Sequence, residues 1–254
     1  MKFDISALRD LRGKDLSGEG LMVLEGRLMI EKAMDSGTTI LGAIRTEEGD
    51  SGWLEARSPT FPVETASQSE LTDIVGFKFH HGVLALAKRP PIPPCEVGAP
   101  GCETAGQAAL LCLWNITDPS NVGALIRSAA GLGGTAVLLG PGCADPFYRK
   151  ALRSSMGNAL SLPLYACGTA ELIKLRKSGI SLAAATLSPR AIPLPEYKPS
   201  RPIALILGNE GFGLPPEVVG ICDVEICIPM RIDVDSLNVA AAGGICMYEL
   251  FRRR

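Results

Sequence analysis

From residue 107 onward the chain alternates between short apolar runs of strand length and longer runs of helix length, and nothing else in the sequence constrains its fold as strongly. The spacing predicts strands at 109–114, 135–139, 181–185, 203–207 and 224–228, and helices at 122–131, 147–156, 170–177, 216–222 and 237–251. Strands that alternate with helices form a mostly parallel sheet covered on both faces, because parallel neighbours need a long crossover and a crossover helix needs a face to bury. Local signals fit this order. Asp118-Pro119 stops the first strand, Asn121 can cap the helix after it, Pro216 suits a first helical turn and Ser236 suits an N-cap.

Residues 91–106, PIPPCEVGAPGCETAG, crowd Pro and Gly and carry no hydrophobic period, so they read as a linker. Ahead of it, residues 1–90 read as a small α/β domain. It has a strand at 22–24 ending in Glu25-Gly26, a helix at 27–34, a loop at 47–60 and a strand at 82–87. The expected organisation is therefore a small domain (1–90), a linker (91–106) and a larger α/β domain (107–254).

In an open α/β sheet, ligands bind beyond the carboxyl ends of the strands. Three segments of small and polar residues fall there. The first runs Asn115-Ile116-Thr117-Asp118-Pro119-Ser120-Asn121-Val122-Gly123-Ala124-Leu125-Ile126-Arg127. The second is Leu207-Gly208-Asn209-Glu210-Gly211-Phe212-Gly213-Leu214-Pro215. The third is Ile228-Pro229-Met230 followed by Ser236-Leu237-Asn238-Val239-Ala240. Each has a plain reading beside a functional one. The glycine loop lacks the Lys-Ser/Thr of a P-loop and the spacing of a dinucleotide fingerprint, so it is a tight strand–helix connection or a ligand loop. Arg127 is a surface arginine or a grip on phosphate, for which its guanidinium fork is well shaped. Ser236 is explained by capping alone. The thin stretch Ala240-Ala241-Ala242-Gly243-Gly244 implies close packing against a neighbouring helix, a threaded segment or a second subunit.

Composition excludes several classes. The formal net charge is −2, with acidic and basic residues balanced in both halves, so a nucleic-acid surface must be local. No apolar stretch is long enough to span a bilayer and no leader opens the sequence, which makes the cytoplasm the expected compartment and a membrane partner unexpected. The eight cysteines form no C-x-x-C pair. Cys222 and Cys227 have a finger-like gap but no second pair or nearby His, so the thiols read as small hydrophobes and no metal is expected.

Taken in order and spacing, the three segments resemble the signature motifs of the SpoU (TrmH-type) RNA 2′-O-ribose methyltransferases of the SPOUT superfamily. Arg153-Ser154-Ser155-Met156-Gly157 resembles the family's Arg-x-Ser-x-Gly segment, and Tyr248-Glu249-Leu250-Phe251-Arg252-Arg253-Arg254 its closing helix. Residues 4–90, with Glu25-Gly26 and His81-Gly82-Val83-Leu84-Ala85, resemble the RNA substrate-binding domain that precedes it in many members. The resemblance implies a C-terminal SPOUT domain with a deep trefoil knot and a homodimer whose sites lie near the dimer interface. It also implies S-adenosylmethionine bound in bent form at Thr186, Leu187, Gly208, Ile228, Met230 and Leu237. The substrate implied is a ribose 2′-hydroxyl of structured RNA, ribosomal or transfer, with ribosomal preferred. Asn115, Arg127, Glu210, Ser236 and Asn238 are the implied catalytic group, and Arg149, Lys150, Arg153 and the Arg252–Arg254 tail are expected to add RNA affinity.

Methyl transfer from a sulfonium releases a neutral leaving group, so the protein must align two reactants and help remove one proton. Histidine is the usual base, but the two histidines, His80 and His81, both precede the catalytic segment. The resemblance gives the central role to Arg127. Its free pKa is too high for a ready base, which favours a clamp on the target phosphate, with Asn115 and Glu210 orienting it. Two other classes compete. A non-catalytic RNA-binding protein on the same fold is opposed by the intact polar set. A dinucleotide enzyme is opposed by the first strand–helix turn, which lacks Gly-x-Gly-x-x-Gly.

Overall fold

The computed structural model describes residues 16–46, 52–76, 82–103, 108–198, 202–231 and 236–251. His80, His81 and Arg252–Arg254 lie outside them. The chain divides into two compact units, Met1–Pro91 with Phe147–Ser161, and Ile92–Pro146 with Leu162–Arg254.

The first unit is built on strands β1 (Leu21–Glu25), β2 (Ile40–Thr46), β3 (Val63–Ala66) and β4 (Val83–Lys88), in the order β1-β4-β2-β3. β4 is antiparallel to β1 and β2, and β3 is parallel to β2. Helices α1 (Arg27–Asp35), α2 (Gly52–Ala56) and α3 (Gln68–Val75) accompany it. Val23, Ile44, Leu71 and Leu84 meet in its core. The strand, helix and strand expected here are present. β2, β3, α2 and α3 were not read from the sequence, and α2 falls inside the stretch 47–60 expected to be loop. For α3 a signal existed: Ser67 and Glu70 form a capping box, in which Ser67 Oγ accepts from the Glu70 amide (3.2 Å) and the Ser67 amide donates to Glu70 Oε2 (2.8 Å).

The second unit is a seven-stranded sheet in the order β7-β6-β5-β10-β8-β11-β9. The strands are β5 (Ala109–Leu113), β6 (Ala136–Leu139), β7 (Leu164–Ala166), β8 (Ser181–Ala185), β9 (Ile192–Pro193), β10 (Ile203–Leu207) and β11 (Val224–Cys227), and every pairing is parallel. All five expected strands are found. β7 and β9, three and two residues long, are too short to carry a readable period. The helices are α4 (Pro119–Leu132), α6 (Thr169–Lys177), α7 (Pro216–Val219) and α8 (Val239–Phe251). Leu110, Cys112, Trp114, Leu138 and Ile206 lie in the core. One glycine of the thin stretch in α8 is explained within the chain: a Cβ on Gly243 would stand 2.3 Å from Leu125 Cδ2 and 2.7 Å from Leu207 Cδ1. That glycine lets the helix lie directly on α4 and β10.

Two stretches fall differently from the sequence-based boundaries. Residues 92–103, expected as linker, are built into the second unit. The Cys95 amide donates to Ala166 O (2.8 Å), the Ala166 amide donates to Pro93 O (2.8 Å), and Cys95 and Cys102 are buried with their sulfurs 3.6 Å apart. Pro and Gly forbid regular elements there but do not forbid burial. The other is Phe147–Ser161, expected in the larger domain, which clusters with the first unit and contains α5 (Arg149–Ser154). The cause is ionic. Glu25, at the end of β1 and buried, accepts from Arg149 Nε at 2.7 Å, with Arg153 Nε 3.6 Å from its other oxygen.

Candidate active site at the strand ends

Because β5, β10, β8 and β11 are parallel neighbours, their carboxyl ends open on one edge of the sheet. The residues that follow them, Asn115, Gly208, Thr186 and Ile228, are brought together although up to 113 positions separate them in the chain. A cavity of ≈ 830 Å³ lies at these ends, and Thr186, Leu187, Gly208, Ile228, Met230 and Leu237 all line it, as do Glu210 and Ser236. The volume is within the range of about 300–1,000 Å³ typical of small-molecule sites.

The glycine loop forms one wall. Asn209 and Gly213 exchange backbone hydrogen bonds (3.1 and 2.9 Å), and Asn209 Oδ1 accepts from the amides of Gly211 (2.8 Å) and Phe212 (3.1 Å). The turn closes so tightly that a Cβ on Gly208 would stand 2.5 Å from the carbonyl of Gly213 and 2.6 Å from the amide of Leu214. Glycine is therefore required at 208 by the loop itself before any ligand is considered. Asn209 Nδ2 donates to Asn115 O (2.9 Å), which ties this turn to the end of β5. Asn115 holds a left-handed backbone (φ 56°) that asparagine tolerates better than most residues.

The helix starts supply a polar chain. α4 begins at Pro119, and its cap is Asp118, whose Oδ1 accepts from the Ser120 amide (2.9 Å). Asn121, expected to be the cap, is thereby freed. Its Nδ2 donates to Glu210 Oε1, and its Oδ1 accepts from Asn238 Nδ2 (3.1 Å). Asn238 is also the cap of α8, since its Oδ1 accepts from the amides of Ala240 (3.0 Å) and Ala241 (3.3 Å). Ser236, expected in that role, lies two residues upstream and exposed. Sequence reasoning thus placed Asn121 among the caps when it bridges the other two segments; only the true helix start, one residue after Asp118, could have revealed this.

Arg127 is exposed on α4, and none of the described carboxylates pairs with it. The expectation that Asn115 and Glu210 would orient it is not met by a hydrogen bond among the described residues: Glu210 Oε1 accepts from Asn121, and the Asn115 backbone carbonyl accepts from Asn209. Of the three residues expected to hold RNA, Arg149 is committed to buried Glu25, with its side chain 17% exposed. Arg153 keeps an exposed side chain despite its contact with the same carboxylate, and Lys150 is exposed.

Three thiols line the cavity, Cys222, Cys227 and Cys246. Burial pushes Cys222 and Cys246 each up to about 12, so these two are protonated at neutral pH and neither offers a thiolate base or nucleophile. Glu225 accepts from Thr186 Oγ1 (3.0 Å) and faces Arg190 at 3.7 Å; among the described residues, the carboxylates of Glu210 and Glu225 line the cavity.

Residues 108–248 match the model of the SpoU rRNA Methylase family. An "uncharacterized tRNA/rRNA methyltransferase" of Mycobacterium bovis is 36% identical over 93% of this chain and 82% of its own length. The 23S rRNA (guanosine-2′-O-)-methyltransferase of Acinetobacter baylyi is 31% identical over 76% of this chain and 79% of its own. Among solved structures, the AdoMet-bound rRNA methyltransferase from Sinorhizobium meliloti superposes with a TM-score of 0.80, covering 96% of this chain and 91% of that one at 23% identity.

Proposed function

The chain belongs to the SpoU rRNA Methylase family, and on that premise we propose that it transfers a methyl group from S-adenosylmethionine to a ribose 2′-hydroxyl of structured RNA, ribosomal RNA before transfer RNA. The observation that carries this reading is the convergence of three sequence-distant loops on one cavity beside the Glu210–Asn121–Asn238 chain. The cavity fits the cofactor in kind. Its loop wall is backbone closed around Gly208, and the carboxylates at its walls suit a ligand that carries a sulfonium and an ammonium.

Thr186, Leu187, Gly208, Ile228, Met230 and Leu237 hold the cofactor, which when bound supplies an electrophilic methyl group. The other residues bring the hydroxyl to it. Arg127, unpaired by any described carboxylate, clamps the phosphate next to the target ribose with its planar fork. Glu210 fixes Asn121, Asn121 fixes Asn238, and Asn238 with Ser236 positions the hydroxyl in line with the methyl. Alignment of this kind is worth roughly 7–11 kcal/mol in well-oriented reactions. Cys222 and Cys246 do not take the proton, since both stay protonated, and Asn115 acts by holding the strand-end turn in place.

The exposed stripe Ala241, Ile245 and Tyr248 on α8, spaced as one helix face, supports a homodimer. The SPOUT knot, an RNA-binding role for the first unit and a cytoplasmic setting complete the reading. No helix among the described residues is long and apolar enough to cross a membrane. Calorimetric titration with S-adenosylmethionine in the absence of RNA tests the core of it. Binding is expected, and Gly208→Val is expected to abolish it by breaking the turn. No heat at millimolar cofactor would sink the methyltransferase reading.

A further inference from the structure

Phe212 is 91% exposed, the most exposed of the large apolar side chains among the described residues. A phenyl ring in water forgoes the stabilisation that burial would bring, and a flexible tip could fold it away. This tip does not. The four hydrogen bonds of the Asn209–Gly213 turn include one from the Phe212 amide itself. The turn also leaves the ring uncovered. Its chain neighbours are Gly211 and Gly213, where a Cβ would meet only Asn209 Oδ1 at 3.5 Å and nothing within 4 Å, respectively. The ring lines the same cavity as Gly208, Ile228 and Leu237, and its turn carries Glu210, the start of the polar chain.

We propose that Phe212 is a base-stacking platform: it receives a nucleobase of the RNA strand presented to the cavity and holds that strand while the ribose is aligned. The assignment rests on the methyltransferase reading for its substrate class. A rigid, bare ring at the rim suits a flat partner, because unstacked bases of RNA loops are held on aromatic side chains and every base offers a π face. A protein partner fits less well, since protein hot spots sit inside contiguous apolar patches. Phe212 is flanked in the chain by Glu210 and two glycines.

The test uses the full chain carrying Phe212→Ala, Phe212→Leu or Phe212→Trp. Affinity is read by anisotropy with a fluorescein-labelled single-stranded RNA of mixed sequence. Turnover is read as tritium transfer from S-adenosylmethionine to total RNA from cells lacking the protein. Calorimetry with the cofactor and light scattering for mass are run alongside. Loss of one stacked base predicts RNA affinity weakened about 5- to 150-fold in Phe212→Ala. Leucine keeps the apolar bulk without the ring and should resemble alanine; tryptophan should restore binding. KM for RNA should rise while kcat, cofactor affinity and mass hold. Unchanged RNA affinity in Phe212→Ala, full function in Phe212→Leu, or a change of mass that marks a protein contact would each overturn the assignment. If the ring governs RNA affinity but the wild type transfers no methyl group, the methyltransferase reading falls and the stacking role stands. Full transfer by wild type and Phe212→Ala alike means the reverse.

Discussion

Glu25 in the first unit and Glu210 in the second both lie at or just past the end of a strand. Their surroundings differ completely. Glu25 is enclosed, with a side chain 2% exposed, and draws Arg149 into a bond at 2.7 Å and Arg153 to 3.6 Å. Glu210 stays exposed and binds an amide, Asn121, while Arg127 remains in solvent. The lesson concerns arginines: one buried against a carboxylate has spent its fork on the fold, whereas one facing water with no described carboxylate partner can still grip phosphate.

The sharpest way to break this contrast is Glu25→Ala. Removing one partner of a buried ion pair costs about 3–5 kcal/mol because the other charge is left enclosed. Calorimetric melting should show that loss in the first unit's transition, with cofactor affinity unchanged. A melting profile identical to wild type would make Arg149 as free as Arg127 and erase the distinction.

Arg127→Ala should do the opposite. Turnover is expected to fall roughly 10²- to 10³-fold, the cost of removing one well-placed charge-stabilising donor. Stability should stay within about 0.5 kcal/mol, as for an exposed side chain. Arg127→Lys sharpens the result: a charge clamp retains part of the rate, while a role that requires the guanidinium does not. Wild-type turnover in Arg127→Ala would move the catalytic assignment to Ser236 or Asn238.

The smallest expected effect is in the salt dependence of RNA binding. Neutralising Lys150 or Arg153 to glutamine should flatten the slope of log K against log salt by about 0.7–0.9 each where the residue meets a phosphate. Arg149→Gln should leave the slope as it is and lower the melting temperature instead. A slope change from Arg149 alone would show that its bond to Glu25 opens for RNA.

The larger unit was legible because its strands are continuous apolar runs and its helices carry an apolar period; the spans at 181–185 and 203–207 coincide with β8 and β10. The smaller unit was only half legible. β3 is four residues of mixed polarity, Val-Glu-Thr-Ala, with no fully buried position, so no period marks it. The candidate site was legible as three segments through their small and polar residues. The partnerships inside it were not, because they depend on which side chains meet across more than 80 residues of chain, as Asn121 and Glu210 do.

The sequence by itself determined the parallel α/β class, the family resemblance and two of the loops that line the cavity, those at Gly208 and Ile228, since apolar period and loop composition are local properties of the chain. Tertiary structure decided the rest. It placed residues 147–161 with the first unit through contacts that include Glu25 and Lys32, buried residues that looked like a linker, made Asp118 and Asn238 the caps in place of Asn121 and Ser236, and separated a bound arginine from an exposed one. Those outcomes turn on burial and on the partner each polar group finds, and both are set only when distant segments pack together.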